Sequence, residues 1–329
     1  MNHEHLLSVE DLKTYFFTRA GLVKAVDGVS FHLDEGEALG LVGESGCGKS
    51  ITCHSIVRLL PTIGCRIAGG KILFEGEDLV QKNIHEMVNW RGKKIGMILQ
   101  DPLSSLNPVH TIGRQVGEAI RLDDKRQKTS AVKRKVLELL EKVKIPSAAK
   151  RMDQYPFQFS GGMRQRVLAA VSMARQPKLL IADEPTTALD VTIQDQFLRL
   201  LKQMQNEYGL ALLLVTHDLG LVAETCDRVA VMYAGRIVET GSVERVFEDP
   251  SHPYTKALMM ALPEVGEKKK RLFQITGEPP NLLNLPPGCS FSPRCTKVMN
   301  ICKKEYPLFM PAGDDSMTAC WLWAKGPVA

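Results

Sequence analysis

No run in these 329 residues approaches the roughly 18 consecutive apolar positions of a membrane-spanning helix. The first residues, Met1-Asn2-His3-Glu4-His5, lack the basic-then-apolar grammar of a secretory signal. Together these absences point to a cytosolic protein whose membrane role, if it has one, comes through a partner. A dominant charge of one sign is also missing. With 42 basic and 37 acidic residues the net charge is only +5. That is too mild and dispersed to call for nucleic acid, though it suits a cytoplasmic surface next to a membrane. The eight cysteines contain no C-x2-4-C knuckle of the kind that announces a zinc finger. Apolar content of 44% and charge of 24% are ordinary for a globular chain, long enough for one large domain plus extras or for two.

What is present begins with Gly43-Glu44-Ser45-Gly46-Cys47-Gly48-Lys49-Ser50, which fits G-x-x-x-x-G-K-[ST]. The apolar run 37–42 before it reads as a buried strand. The stretch from Ile51 to Leu60 has helical spacing and stops at Pro61. Strand, glycine loop and helix is the context of a phosphate-binding loop. Glycines let the backbone turn its N–H groups onto an anion, Lys49 reaches the β/γ-phosphates and the Ser50 hydroxyl ligates Mg²⁺. Cys47 lies inside this loop, where the helix dipole and Lys49 favour a reactive thiolate unless burial keeps the thiol inert.

Residues 6–42 alternate short apolar runs with turns and read as an antiparallel β entry. Within it Phe16, flanked by Tyr15 and Phe17, is either strand core or a ring that stacks on a base. Residues 71–80 and 94–100 read as further strands, the second ending at Gln100 before a turn-rich loop. Val132, Val136, Leu137, Leu140 and Val143 then repeat at helical spacing within 111–150, a helical insertion with a solvated basic face. Ser160-Gly161-Gly162 opens another helix and is a second anion-ready start or a plain turn. Leu179–Asp183 is an apolar strand closing on two carboxylates, Asp183 and Glu184. In a phosphate-loop protein such a pair holds Mg²⁺ and orients the attacking water. Residues 210–215 form another buried strand, delivering His217 to the same edge.

The order of these motifs resembles the nucleotide-binding subunits of ABC transporters over residues 6–262. The implied fold is α/β: a phosphate-loop NTPase core with an antiparallel β subdomain, a helical insertion and a small Cys-rich C-terminal extension. The expected domains are 1–265, with the helical subdomain at about 105–165, and 266–329. The resemblance makes 43–50 the Walker A motif, Gln100 the Q-loop, FSGGM at 159–163 the signature, LLIADE at 179–184 the Walker B motif, ALD at 188–190 the D-loop and His217 the switch histidine. It implies that ATP is bound by Gly43, Ser45, Gly46, Cys47, Gly48, Lys49, Ser50 and Ile51. Phe16 stacks on adenine, with Tyr15 the alternative. Mg²⁺ is held through Ser50, Gln100 and Asp183. Glu184 polarises water while Gln100 and His217 attend the γ-phosphate, and Ser160, Gly161 and Gly162 cover a partner subunit's ATP. Phe159 and Met163 depart from the more usual Leu and Gln.

SSLNPVHTIG at 104–113, YPFQFSGGMRQRV at 155–167, ADEPTTALDVTIQ at 182–194, VMYAGRIVE at 231–239 and HPYTKALMMALP at 252–263 resemble, more narrowly, the D-type ATPase of dipeptide/oligopeptide importers. The resemblance implies an F-type ATPase partner, two membrane permease subunits, an extracytoplasmic peptide-binding protein and a place on the cytoplasmic face of the membrane. Nickel and glutathione importers share most of these strings. A soluble ABC ATPase acting on nucleic acid or ribosomes is the distant alternative, disfavoured by a single Walker A and a single signature.

Residues 264–288 read as a Gly/Pro/charge-rich linker, and 289–329 as too short for a core of its own. Cys289, Cys295, Cys302 and Cys320 follow a C-x5-C-x6-C-x17-C spacing. With Phe291, Phe309, Trp321 and Trp323 as an apolar screen, that spacing suits a [4Fe–4S] cluster better than zinc or a metal-free tail. The aromatics could equally dock the tail onto the main domain. This tail also resembles the C-terminal extension of the same importers. Since it lies outside every nucleotide motif, ATP binding is expected to survive its loosening.

Overall fold

The computed structural model describes residues 5–187, 189–261 and 274–324. Ala188 of the D-loop, residues 264–273 of the expected linker and the expected boundary at 265/266 lie outside the described residues. So do Met1–Glu4, where a signal would begin. Contacts divide the chain into two compact units: Met1–Asp34, Ala38–Gln81 and Thr216–Ala329 form one, Glu35–Glu37 and Lys82–Val215 the other.

In the first unit the strand Leu7–Thr18 lies between Gly21–Leu33 and Cys65–Phe74, with Glu77–Asp78 at the edge, all antiparallel. Residues 7, 9, 12 and 14 are buried, interrupted by a bulge between Val9 and Leu12. The phosphate loop leaves the strand Ala38–Val42, whose five residues are all buried and which runs parallel to Arg228–Tyr233. Such an unbroken apolar run is what a strand covered on both faces requires. Arg228–Tyr233 turns back into Arg236–Ser242. The far edge of that strand is taken by the C-terminal residues Ser316–Thr318, with Met310–Pro311 beyond them. The tail thus contributes backbone pairing as well as side chains to this unit.

The second unit is built on parallel strands. Ile95–Ile98 pairs with Leu179–Asp183, which pairs with the strand beginning at Ala211 through Asp183↔Val215. Its helices include Ile112–Arg121, Thr129–Lys142, Gly161–Met173 and Val191–Tyr208. Thr111 caps the first, its hydroxyl accepting from the Arg114 N–H at 3.3 Å. Val132, Val136 and Leu140, each four residues apart, are the buried stripe of the second. Among the described residues no helix is long and apolar enough to cross a membrane.

Candidate functional site

The phosphate loop is shaped by backbone that side chains would obstruct. Gly43 and Gly48 sit at φ 155° and 108°. A Cβ on Gly43 would fall 2.1 Å from the Met232 carbonyl oxygen, and one on Gly48 2.2 Å from that of Ala25. Neither position tolerates a side chain. Gly48 also caps the helix Lys49–Ile56, and as glycine it brings no side-chain acceptor to the first-turn N–H groups. Lys49 is buried, and its ammonium donates to the carbonyls of Gly43 at 2.8 Å and Glu44 at 3.1 Å. A point charge is thereby held against the loop's own backbone, beside a helix start favourable to anions. Ser45 and Gly46 are exposed, and Ser50 and Ile51 half-buried. This is the donor set that a Mg²⁺-bound polyphosphate fits.

Cys47 behaves differently from the reactive thiolate expected. It is 5% exposed, and burial pushes its thiol up despite the Lys49 charge, whose Nζ lies 4.0 Å from Sγ. Desolvation outweighs the attraction because the sulfur sits inside the turn, under Gly43, rather than at its mouth.

Tyr15 and Phe16 separate clearly. The Tyr15 hydroxyl donates to Asp27 Oδ1 at 2.6 Å, and Asp27 accepts from Arg236 at 2.7 Å. Burial, with the Asp27 bond and charge, pushes the Tyr15 hydroxyl up to about 12. Phe16 is half-buried and stands opposite Val23 on one side and Cys65 on the other. His217 is exposed at the end of its strand, just before Asp218 caps the helix Leu219–Thr225 by accepting from the Gly220 N–H at 2.8 Å.

In the second unit two of the expected residues meet. The Gln100 amide donates to Glu184 Oε2 at 2.9 Å, and the Thr187 hydroxyl lies 3.2 Å from the same oxygen. Glu184 follows the buried Asp183 at φ 43°, a left-handed conformation for a non-glycine residue, with its N–H bonded to the Val215 carbonyl at 2.9 Å. Ser160 caps the helix Gly161–Met173, accepting from the Met163 N–H at 3.4 Å. Gly162 has a packing reason as well, since a Cβ there would meet Ile193 Cγ2 at 2.4 Å. Gln165, for which the sequence carries no signal, is buried and donates to the Pro185 carbonyl, joining the signature helix to the turn after Glu184.

Cys289, Cys295, Cys302 and Cys320 are all free thiols, and all line one small cavity with His252, Phe291 and Trp321. Phe309 lines a different cavity, and Trp323 donates to the Ser251 carbonyl at 3.2 Å. The expected four-member aromatic screen is therefore half right. Backbone N–H groups of Phe291, Lys297 and Leu322 reach the sulfurs of Cys289, Cys295 and Cys320. Burial pushes Cys289 and Cys320 up to about 11. Among the described residues no three of these thiols have sulfurs all within 4.8 Å of one another. Tetrahedral zinc, at about 2.3 Å to each sulfur, would hold them roughly 3.8 Å apart.

A tail residue that the sequence reading missed reaches the phosphate loop. Arg294 grips the Glu44 carboxylate with both terminal nitrogens, at 2.7 and 3.0 Å. The tail thus touches a nucleotide motif through a side chain, although it lies outside the motif's own sequence. No spacing rule could have found this, because Glu44 occupies an unspecified position of the motif.

A glycine loop at a strand-to-helix turn, beside a buried lysine and with an Asp–Glu pair at another strand tip, defines a phosphate-loop NTPase. The ABC transporter family matches residues 26–187, and the family described as the oligopeptide/dipeptide transporter C-terminal region matches 238–302. The oligopeptide transport ATP-binding protein OppD of Bacillus subtilis is 50% identical over 96% of this chain and 88% of its own. The dipeptide transport ATP-binding protein DppD of the same organism is 47% identical over 97% and 95%. Among solved structures, the ATP-binding cassette MJ0796 bound to ADP and Pi superimposes with a TM-score of 0.65 at 24% identity, over 72% of this chain and 98% of that one. This chain belongs to the ATP-binding subunits of ABC transporters, in the oligopeptide/dipeptide branch, and is an ATPase of that family.

Proposed function

We propose that this chain hydrolyses ATP to power uptake of di- and oligopeptides through a membrane importer. The observation that carries the peptide reading is its near-full-length likeness to ATP-binding proteins of dipeptide and oligopeptide transport, together with the C-terminal region matched over 238–302. It works on the cytoplasmic face of the membrane, beneath two permease subunits fed by an extracytoplasmic peptide-binding protein and beside an F-type ATPase.

ATP is held on the loop 43–51 by backbone N–H groups and Lys49, with Phe16 as the adenine platform. Tyr15 is less suited because its hydroxyl is committed to Asp27. Ser50, Asp183 and Gln100 are the residues that would hold Mg²⁺, which when bound would supply positive charge to the phosphates. Glu184 accepts a proton from water as the water oxygen attacks the γ-phosphorus. The bond to the bridging oxygen breaks and ADP departs. Gln100 and Thr187 fix the carboxylate that does this, and His217 attends the γ-phosphate. Ser160, Gly161 and Gly162 cover the ATP of the F-type partner, whose own signature covers the ATP of this chain.

For Cys289, Cys295, Cys302 and Cys320 we read a [4Fe–4S] cluster, with zinc the runner-up. The convergence of all four cysteines on one small cavity and the N–H groups aimed at three sulfurs support it. When bound, the metal supplies folding free energy to a tail poor in core.

The deciding experiment reconstitutes the chain with its membrane subunits, F-type ATPase and binding protein. ATP turnover should rise with di- or oligopeptides and not with nickel or glutathione. Stimulation by either of the latter alone would replace the peptide reading.

A further inference from the structure

Glu44 is an unspecified position of its motif, yet four groups converge on it. Its N–H donates to the Tyr254 hydroxyl at 2.9 Å, and its carbonyl accepts from Lys49 and from the Cys47 N–H at 3.3 Å. Its carboxylate is held by Arg294 in the two-pronged geometry that guanidinium makes best. Arg294 itself is over-determined. Its side chain is only 4% exposed, its Nε donates to the Thr276 carbonyl at 3.2 Å and Nη1 lies 3.2 Å from the Tyr233 hydroxyl. The segment carrying it is pinned by Phe291, 2% exposed, whose ring meets Tyr233 edge-on at 5.3 Å and Tyr254 at 5.4 Å.

We propose that Arg294 is a positioning residue of the ATP site. It holds Glu44, and through Glu44 the carbonyl that receives Lys49, so that the segment between Cys289 and Cys295 sets the geometry of the phosphate loop. Glu44 needs no phosphate contact for this, because its carbonyl and its carboxylate face two different partners. Breaking a pair whose arginine is buried and whose glutamate is a quarter exposed leaves the remaining charge without its partner and free to pull its backbone elsewhere. The loop would then lose the fixed cradle on which charge-for-charge phosphate binding depends.

The inference rests on the reading that ATP sits on this loop, and one series of measurements tests both. Binding of ATP and of adenosine is measured on the folded full-length chain, with circular dichroism checking each variant. Arg294→Ala should weaken ATP about tenfold, within the 5- to 150-fold span of site-to-site coupling, and leave adenosine unchanged. Glu44→Gln should do the same while keeping Phe291 docked, so that it reports even if Arg294→Ala fails to fold. Arg294→Lys should restore part of the affinity, and the double variant should be no worse than either single one. Wild-type ATP affinity in both single variants, or additive losses in the double, would overturn the positioning role. Lys49→Ala is the control. If it too binds ATP normally, the site itself has been misread, a different failure from losing the latch alone.

Discussion

The phosphate loop and the cysteine-bearing tail belong to the same compact unit but are specified by opposite means. The loop is defined by what its backbone must do. Gly43 and Gly48 have no room for a Cβ, so the chain has no alternative residue to use. The tail from Cys289 to Trp323 is defined by what its side chains find elsewhere. Phe291 finds two tyrosines, Arg294 finds Glu44, and Trp323 finds the Ser251 carbonyl. Backbone-dictated segments leave a pattern in sequence. Partner-dictated segments do not, because the partner can lie some 250 positions away, as Glu44 does from Arg294. The comparison also shows where the two meet, at an unspecified position of the motif.

The largest effect should come from the acid pair, which neither region touches in sequence. Glu184→Gln removes the proposed proton acceptor but keeps an oxygen that can accept from the Gln100 amide. Turnover should fall about 10²- to 10⁴-fold, the range for losing a positioned general base, with ATP affinity retained. Near-normal turnover in the reconstituted importer would remove Glu184 from its role.

Next in size is the tail. Protein purified without air should carry iron and sulfide near four each per chain. Serine at any of Cys289, Cys295, Cys302 or Cys320 should open the tail to proteolysis. Because Arg294 precedes Cys295 directly, such variants should also bind ATP several-fold more weakly, an outcome that a tail independent of the loop would not give. Zinc in place of iron, found by elemental analysis, would reject the cluster and keep the staple. Protease-resistant serine variants with unchanged ATP affinity would break the link between the two regions.

A smaller effect is expected at Tyr254, a fully buried residue at the second position of the helix Pro253–Met260. His252 caps that helix by accepting the Tyr254 N–H at 3.0 Å, and Pro253 fits its first turn. Tyr254→Phe leaves the Glu44 N–H without its acceptor and should cost about 1–3 kcal/mol in chemical denaturation. A variant as stable as wild type would show that the loop finds another partner.

The legible parts of this chain were those that obey a local rule. The α/β alternation, the helical stripe at Val132, Val136 and Leu140, the loop at 43–50 and the acid pair at 183–184 each announce themselves within ten residues or so. The strand addition by Ser316–Thr318 was hidden, since three residues carry no periodicity. Arg294 and Gln165 were hidden because a buried Arg or Gln looks like a surface residue until its acceptor is placed beside it.

The smallest effect tests which physics governs the loop's own thiol. From sequence, Cys47 beside Lys49 and a helix start should be the reactive cysteine. In the folded chain burial dominates, so thiolate is scarce at neutral pH and the sulfur is covered. Attack on an alkylating reagent needs both thiolate and access. Brief treatment of the native protein at pH 7 should therefore label Cys65, which is half-buried, ahead of Cys47. Any inactivation should follow only slowly, as the loop opens. Adding ATP should then change the Cys47 rate little, because the closed loop already shields it. Mass mapping decides the matter. Fast labelling at Cys47 that ATP prevents would mean that the loop spends much of its time open, and that the Arg294 latch on Glu44 does not hold it.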